Sequence, residues 1–294
     1  MILPRTPGSA IQARIDEFAK AGVQIVSGVY KDSLFNIEPD FIAFDAKGKR
    51  TDKLAWTHRA GNDFDIYFVS NQLDSAREVE LSFRISNKAA EIWDPLTVSI
   101  NAASWKLVKR RTIVSTKLAA NGSIFIVFRK GTTAAKAKPF MAAQTISGPW
   151  KVKFSEDKQV TFNTLSDWSK NADSTVRYFS GTAVYSNNFN WQGTSQSVWL
   201  NVGKVANIAE IFVNGISCGI AWTAPYCVNI TKALRRGNNL VTIEVSNTWA
   251  NRLIGDHNLP PEKRVTNTIA PYRLEGKPLL PAGLLGPVTI EVQR

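Results

Sequence analysis

Short segments with a two-residue hydrophobic repeat limit what this chain can fold into more than any other feature of its sequence. In the run 78–85, Val79, Leu81, Phe83 and Ile85 are apolar and the residues between them are charged or polar. Such alternation is typical of a β-strand with one face buried and the other in solvent. Similar runs recur along most of the sequence, so we predict a mainly β protein built from antiparallel sheets.

Two β regions follow one another along the chain. Runs at 65–71, 78–85, 91–95 and 123–128 predict a small antiparallel β-sandwich over 51–132, with a hairpin turn at Asn121-Gly122. Small and polar residues predict a linker over 133–145. Over 146–294 we predict a β-jelly roll, from short runs at 150–154, 182–189, 197–203, 208–213, 218–222, 240–246 and 288–292.

The first fifty residues have a different pattern. Ser9 is a candidate N-cap, and Ile11, Ile15 and Phe18 form the apolar stripe of an amphipathic helix that Gly22 ends. The run 23–29 then predicts a short buried strand. One helix and one strand cannot build a parallel sheet, so we interpret 1–50 as a short α/β remnant that packs on the first β region or belongs to a larger unit.

Composition excludes several classes of protein. Apolar residues make up 44% of the chain, enough for a packed core. The net charge of +12 is spread along the sequence, and the runs 109–111 and 129–130 are interpreted as solvated strand edges, so no nucleic-acid partner is predicted. No apolar stretch reaches the roughly 18 residues of a membrane helix, and no signal peptide is visible at the start.

We predict that Cys218 and Cys227 are buried free thiols, with a disulfide left open for an exported protein.

Familiar catalytic signatures are missing from the sequence. There is no Gly-rich phosphate loop and no GxSxG elbow, and the two histidines lack zinc-ligand spacing. Glu91 and Asp94 flank Trp93, but an Asp-Pro turn after a strand accounts for them better than a carboxylate pair for glycoside hydrolysis. We therefore predict no catalytic residue, no metal and no cofactor, with a structural calcium ion in the jelly roll left open.

Two segments concentrate polar and aromatic side chains, at 56–65 and at 246–258. Aromatic faces suit the C–H faces of sugars, and Asn, Asp, Arg and His suit their hydroxyls. The alternative is that these residues cap strand ends. A second group of aromatic residues is predicted to anchor the core or the strands rather than to bind a ligand: Trp150, Trp168, Trp191 and Trp199.

The second β region resembles a known domain. Segments 198–203, 209–215, 218–226, 229–231 and 237–240 are similar to the sugar-binding, galactose-binding-like jelly roll of family 2 glycoside hydrolases. That pattern commonly has Asp before Ile-Thr, where this chain has Asn229. Asn keeps the same turn-forming side chain.

A second resemblance covers most of the chain. Thr57-His58-Arg59, the runs 65–71 and 92–95, and the segments 177–185 and 279–288 resemble the C-terminal part of glycoside hydrolase family 106, the α-L-rhamnosidases and their relatives. The resemblance implies a non-catalytic, carbohydrate-associated part of such an enzyme. The catalytic barrel of the family, with its glutamates, has no counterpart in the sequence. The family also implies export from a bacterial cell, which nothing in the chain itself indicates.

The clusters and the resemblance together give candidate carbohydrate-binding residues: His58, Arg59, Asp65, Trp222, Tyr226, Asn251, Arg252, Asp256 and His257. The expected partner is a rhamnose-containing plant-type glycan or the enzyme's own catalytic barrel. One alternative is a scaffold that docks on a barrel-containing chain. Another is a stand-alone glycoside hydrolase, for which Glu91, Asp256 and Glu262 are the acids nearest the clusters.

Overall fold

The prediction of a mainly β fold with a galactose-binding-like jelly roll is confirmed. A computed structural model describes residues 2–3, 9–22, 26–27, 38–131, 135–136, 138–194, 197–257, 259–266, 268, 274 and 276–293. Two clusters of buried side chains, one in each β region, form the cores.

The described residues of the first part of the chain form one helix and a series of short strands. In chain order these are β1 (Ile2–Leu3), α1 (Ser9–Lys20), β2 (Val26–Ser27), β3 (Phe41–Asp45), β4 (Leu54–Ala60), β5 (Phe64–Asn71), β6 (Arg77–Phe83), β7 (Ala89–Asp94), β8 (Ser99–Ala102), β9 (Ser104–Val108), β10 (Arg111–Leu118) and β11 (Ser123–Arg129).

In the second part, the described residues form two short helices among the strands. In chain order the elements are β12 (Phe140–Thr145), β13 (Trp150–Ser155), β14 (Lys158–Phe162), α2 (Ser174–Arg177), β15 (Thr182–Trp191), β16 (Val198–Asn201), β17 (Lys204–Ala206), β18 (Ile208–Val213), β19 (Ile216–Ala221), β20 (Cys227–Asn229), β21 (Gly237–Ser246), α3 (Ala250–Asp256), β22 (Gly283–Gly286) and β23 (Thr289–Gln293). Single 3₁₀ turns lie at Trp168–Lys170 and Pro261–Lys263.

The predicted N-terminal helix is present as α1. It begins at Ser9 itself and is followed by Gly22, which has a φ of +81° that suits glycine at a helix C-terminus. Of the predicted strand over 23–29, only β2 lies within the described residues, where it pairs in parallel with β1.

Two antiparallel sheets pack face to face in the first region, which we call the first sandwich. Their strand orders are β3-β6-β10-β9 and β4-β5-β11-β7-β8. Val79, Leu81 and Phe83 on β6 are buried, as the alternating pattern predicts, and they meet Tyr67 and Phe128 from the opposite sheet in one core. Burial of one face of each sheet is what holds this sandwich together.

Two predicted boundaries are wrong because strands lie across them. Strand β3, placed in the 1–50 remnant, pairs along its whole length with β6, and Phe41 and Ala43 are part of the first core. Strand β12, placed in the 133–145 linker, pairs with β23 of the second region. In both cases backbone pairing with a distant strand outweighs the local composition that suggested a boundary.

The predicted hairpin at Asn121-Gly122 is also wrong. A turn is present, and Asn121 has the positive φ of +52° that favours asparagine there. However, β10 before the turn and β11 after it belong to different sheets. The turn therefore carries the chain across the first sandwich rather than joining two paired strands.

The jelly roll is built from two larger sheets and a short pair. Their strand orders are β12-β23-β16-β20, β14-β13-β15-β21-β18-β19 and β17-β22. Trp150, Trp168 and Trp191 are buried in the core between the large sheets, as predicted. Trp199 is only partly buried on β16 and packs edge-on against Phe140 on β12, with ring centroids 5.5 Å apart, so it lies outside the core and fits the predicted alternative of a strand anchor.

Two arginines predicted to be solvated have internal partners instead. Arg111 donates from Nη1 to the carbonyl of Pro39 at 2.7 Å and from Nε to the hydroxyl of Ser82 at 2.9 Å. Arg129 donates from Nη2 to Glu91 Oε1 at 2.8 Å. These guanidinium groups tie strands together, because each offers several donors in a fixed plane.

Candidate functional site

His58 and Asp65, two of the predicted binding residues, do come together at the edge of the first sandwich. His58 Nε2 lies 2.9 Å from Asp65 Oδ1, and His58 Nδ1 lies 3.0 Å from Asp40 Oδ2. Lys88 Nζ donates to Asp65 Oδ2 at 2.7 Å, and the Tyr67 hydroxyl donates to Asp40 Oδ1 at 2.9 Å. The segment before β3 is thereby joined to β4, β5 and the segment before β7.

The polar side chains of this network form hydrogen bonds with one another. A neutral imidazole donates through only one nitrogen, so both carboxylates accept from His58 only when its ring carries two protons. The ring also stacks on Tyr67, with centroids 4.0 Å apart. Burial, together with the hydrogen bond to Asp40, raises the pKa of Tyr67 well above its usual range. Such a network favours a structural role for His58 and Asp65.

Arg59 differs from its neighbour on the same strand. It is exposed, and within the described part of the chain its side chain makes no hydrogen bond or ion pair. It lies opposite Ile66 on β5, on the other face of the strand from His58. The predicted grouping of His58 with Arg59 therefore does not form one site.

The second predicted cluster lies on and after α3, and its buried members have internal partners. Asn251 Nδ2 donates to the carbonyl of Leu280 at 2.8 Å, and its Oδ1 accepts from the N–H of Leu280 at 2.8 Å. These two bonds hold the chain near Leu280 against α3. Because Asn251 is only 2% exposed, it presents no surface to a sugar.

Asp256 has a similar internal role. Its Oδ2 accepts from the backbone N–H groups of Val265 and Thr266 at 2.9 and 2.8 Å. Arg252 Nη1 lies 3.8 Å from Oδ1 of the same carboxylate. His257 follows the helix and is exposed. Of the four predicted binding residues in this segment, all within the described part of the chain, only His257 is exposed, and the predicted sugar-binding role of Asn251 and Asp256 conflicts with their burial.

Trp222 and Tyr226 lie in a different place, at a cleft where the jelly roll meets the turn after β7. The cleft has a volume of about 250 Å³. Leu96 and Thr97 line it from the first sandwich, and its other walls come from β16, β19, β20 and the 222–226 turn. We call it the indole cleft because the Trp222 side chain, which is 60% exposed, stands at its rim.

Local chain geometry explains why these aromatic residues meet. The N–H of Tyr226 donates to the carbonyl of Thr223 at 2.9 Å, and Tyr226 has a φ of +49°. This tight turn brings the chain from edge strand β19 directly back to β20 in the other sheet. Trp222 and Tyr226 therefore lie at the two ends of one turn, next to Trp199 on the neighbouring strand.

The indole cleft holds unused hydrogen-bonding groups. Asn229 Oδ1 accepts from the N–H of Thr231 at 3.0 Å, which leaves the amide nitrogen of Asn229 without a partner among the described residues. Within the same part of the chain, nothing bonds to the hydroxyls of Thr223 and Tyr226. An exposed indole beside such groups offers both an apolar face and polar contacts, the combination that a sugar ring requires.

Both cysteines line this cleft as free thiols. They are partly exposed, so the prediction that they are buried is wrong. Burial still raises the pKa of Cys227 to about 11, and the carboxylates of Glu291 and Asp94 add to the increase. Burial also raises the pKa of Cys218. At neutral pH both side chains are therefore protonated, unreactive thiols.

Sequence reasoning missed several members of these groups. Asp40 and Lys88 lie just outside strands, and nothing in their local sequence marks them as partners of His58. Leu96 and Thr97 follow the Asp94-Pro95 turn, which the sequence does indicate, but only the packing of the two β regions brings them to Trp222. Asn229 stands out in the sequence only as a departure from a family pattern.

Within the described ranges, no group of three or more His, Cys, Asp or Glu side chains could hold a metal ion. Among the helices that the structure describes, none is long and apolar enough to cross a membrane.

Two family models match separate parts of the chain. Residues 16–107 match the α-L-rhamnosidase family, glycoside hydrolase 106. Residues 156–273 match the glycosyl hydrolase 2 galactose-binding domain-like family. A solved rhamnosidase from Novosphingobium sp. PP1Y is 34% identical, covers 94% of this chain and superposes with a TM-score of 0.74. The resemblance to glycoside hydrolase family 106 is confirmed. The indole cleft lies mainly in the galactose-binding-like match, and the His58 network lies in the family 106 match.

The chain spans only a part of each of these larger proteins. It covers 26% of the rhamnosidase from Novosphingobium. A protein of Formosa agariphila, whose name gives it a proposed beta-glucuronidase activity, is 34% identical over 50% of this chain, which covers 15% of that protein. The chain is therefore homologous to β domains of rhamnosidase-like and glucuronidase-like glycoside hydrolases.

Proposed function

We propose that this chain is the C-terminal, non-catalytic, carbohydrate-associated part of an α-L-rhamnosidase-like glycoside hydrolase, and that the indole cleft is its sugar-binding site. One observation carries the proposal. The exposed Trp222 indole stands over a cleft with unused polar groups, inside the segment that matches a galactose-binding-like domain.

The size and chemistry of the cleft support one sugar ring as the ligand. Pockets for drug-sized ligands have volumes of about 300–1,000 Å³. At about 250 Å³ the indole cleft lies just below that range and suits a single pyranose unit at the end of a glycan. The C–H face of the ring would pack on Trp222. Its hydroxyls would bond to the Asn229 amide and to the hydroxyls of Thr223 and Tyr226.

The placement of the acidic residues favours a non-catalytic role. Glycoside hydrolysis needs two carboxyl groups that face the scissile bond. Glu91 is fully buried and accepts from Arg129 and from the Trp93 indole, and Asp256 is held by backbone N–H groups. Among the described residues no Asp or Glu lines the indole cleft.

Rhamnose-containing glycans are the proposed ligand.

Docking on a catalytic barrel is the second candidate function. Strand β9 is exposed along its whole length, and Trp105 and Leu107 on this strand are 43% and 52% exposed. Exposed apolar side chains on an edge strand favour contact with another protein surface. The barrel of the same enzyme is the expected partner for this surface.

Isothermal titration of the whole chain with methyl α-L-rhamnoside tests the sugar-binding role. We expect saturable heat that is lost in Trp222→Ala and kept in Trp249→Ala. Trp249 is a matched control because it is 55% exposed and lines a different groove, beside Leu253 and Val265. No heat from the wild-type chain with this or any other pyranoside would refute sugar binding and leave the docking role.

A further inference from the structure

We propose that the indole cleft selects uncharged pyranose rings and excludes uronic acids, so that it distinguishes a neutral sugar from its carboxylate counterpart. The inference rests on the proposed sugar-binding role of this cleft and adds its specificity. The chain is homologous to both rhamnosidase-like and glucuronidase-like proteins, so homology alone does not choose between neutral and charged sugars. The inference is drawn instead from the charges on and behind the cleft walls.

The first observation is the absence of a cation at the cleft. Among the described residues, its lining includes no Lys, Arg or His. Recognition of a uronate carboxylate normally uses an Arg or Lys, since a bidentate guanidinium or an ammonium offsets the cost of removing the carboxylate from water. The polar groups of the cleft, at Asn229, Thr223 and Tyr226, are neutral.

The second observation is the negative charge behind the wall. Asp94 Oδ1 accepts from the N–H groups of Leu96 and Thr97 at 2.8 and 3.2 Å, directly behind the residues that form one side of the cleft. On the jelly-roll side, Glu291 Oε1 accepts from Asn201 Nδ2 at 2.9 Å, and Asn201 pairs with Cys227. Both carboxylates raise the pKa of the Cys227 thiol, so their field reaches the cleft wall.

Together these observations set a preference between two nearly identical ligands. A uronate bound in the cleft would place a carboxylate near two carboxylates and opposite no cation, which disfavours the charged ligand. A hydroxymethyl or methyl group at the same position would instead meet Ile220, which is 56% exposed, and the Trp222 indole. We expect neutral sugars to bind about tenfold or more tightly than their uronates.

Matched ligand pairs test this specificity. The wild-type chain is titrated with the methyl glycosides of glucose and glucuronic acid, and with those of galactose and galacturonic acid, which differ only at C6. Ile220→Lys adds an ammonium to the cleft wall. Ile208→Lys, at a residue 47% exposed on the neighbouring strand and outside the cleft lining, adds the same charge elsewhere. We expect the uronates to gain affinity in Ile220→Lys and not in Ile208→Lys.

The possible results separate the specificity from the underlying role. Uronates that bind the wild-type chain as tightly as neutral sugars overturn the inference and leave the sugar-binding role standing. A neutral preference that Ile220→Lys leaves unchanged overturns the assignment of specificity to the indole cleft. Absence of binding both to these pairs and to methyl α-L-rhamnoside overturns the proposed role itself. Should Ile220→Lys fail to fold, the wild-type comparison alone decides between preference and indifference.

Discussion

The carboxylate of Glu91 is completely buried, and the guanidinium of Arg129 on the adjacent strand donates to it at 2.8 Å. The Trp93 indole donates to the other oxygen at 2.9 Å, and the guanidinium lies 5.8 Å from the centre of the Trp93 ring. These donors replace the water that burial removes from the carboxylate. Glu91 and Arg129 thus form a structural ion pair in the sheet of β7 and β11.

Replacing Arg129 by methionine is expected to destabilise the chain by about 3 kcal/mol, because the substitution removes the guanidinium that donates to the buried Glu91 carboxylate. Urea unfolding followed by Trp fluorescence measures the change. The double variant Glu91→Gln/Arg129→Met should recover part of the loss, since it replaces the buried carboxyl group by a neutral amide. Equal stability of Arg129→Met and the wild type would contradict the assignment of Glu91 to this ion pair.

Asn251 is expected to matter for stability rather than for binding. Asn251→Ala removes both hydrogen bonds that this side chain, itself 2% exposed, makes to the Leu280 backbone, at a cost of about 2 kcal/mol. Asn188→Ala, at an exposed position on β15, is the control and should change the free energy of unfolding by less than about 0.5 kcal/mol. A sugar affinity that falls in Asn251→Ala without any loss of stability would instead favour a binding role for Asn251.

The parts of the fold that could be predicted are those fixed by neighbours in sequence. The alternation of Val79, Leu81 and Phe83 predicts β6 and its buried face. Asn121-Gly122 shows the limit of such signals. Its residue types specify a turn, but which strand β11 pairs with depends on the packing of distant sheets, and no local pattern contains that information.

The candidate site also combines residues that the local sequence predicts with residues that only tertiary packing brings in. Trp222 and Tyr226 could be recognised from their own segment, because the turn that brings them together is local. Leu96 and Thr97 reach the same cleft only through the contact between the two β regions. The polar residues are hard to judge for a related reason, since His58, Asp65, Asn251 and Asp256 look like a binding surface until their internal partners are known.

His58 is expected to stabilise the first sandwich. His58→Ala leaves Asp65, which is 7% exposed, paired with Lys88 alone and breaks the link to Asp40, so we expect a loss of about 2 kcal/mol in the free energy of unfolding. Arg59→Ala, one residue along the same strand and without a partner in the described chain, should change it by less than about 0.5 kcal/mol. Urea titration of the two variants checks the difference. Similar losses in both would contradict the contrast drawn between the two faces of β4.

The thiols of the indole cleft allow the electrostatics of its wall to be measured directly. Alkylation by iodoacetamide requires the thiolate, and a pKa of about 11 for Cys227 leaves only ~0.1% thiolate at pH 8. In Cys218→Ser, where Cys227 is the single thiol, the rate should therefore rise about tenfold per pH unit from pH 8 to 10 and level off near 11. The double variant Asp94→Asn/Glu291→Gln removes the two carboxylates that add to the effect of burial and should move the plateau to lower pH. A rate that levels off near pH 8.5, the value of an ordinary exposed cysteine, would show that the wall is neither desolvated nor negative.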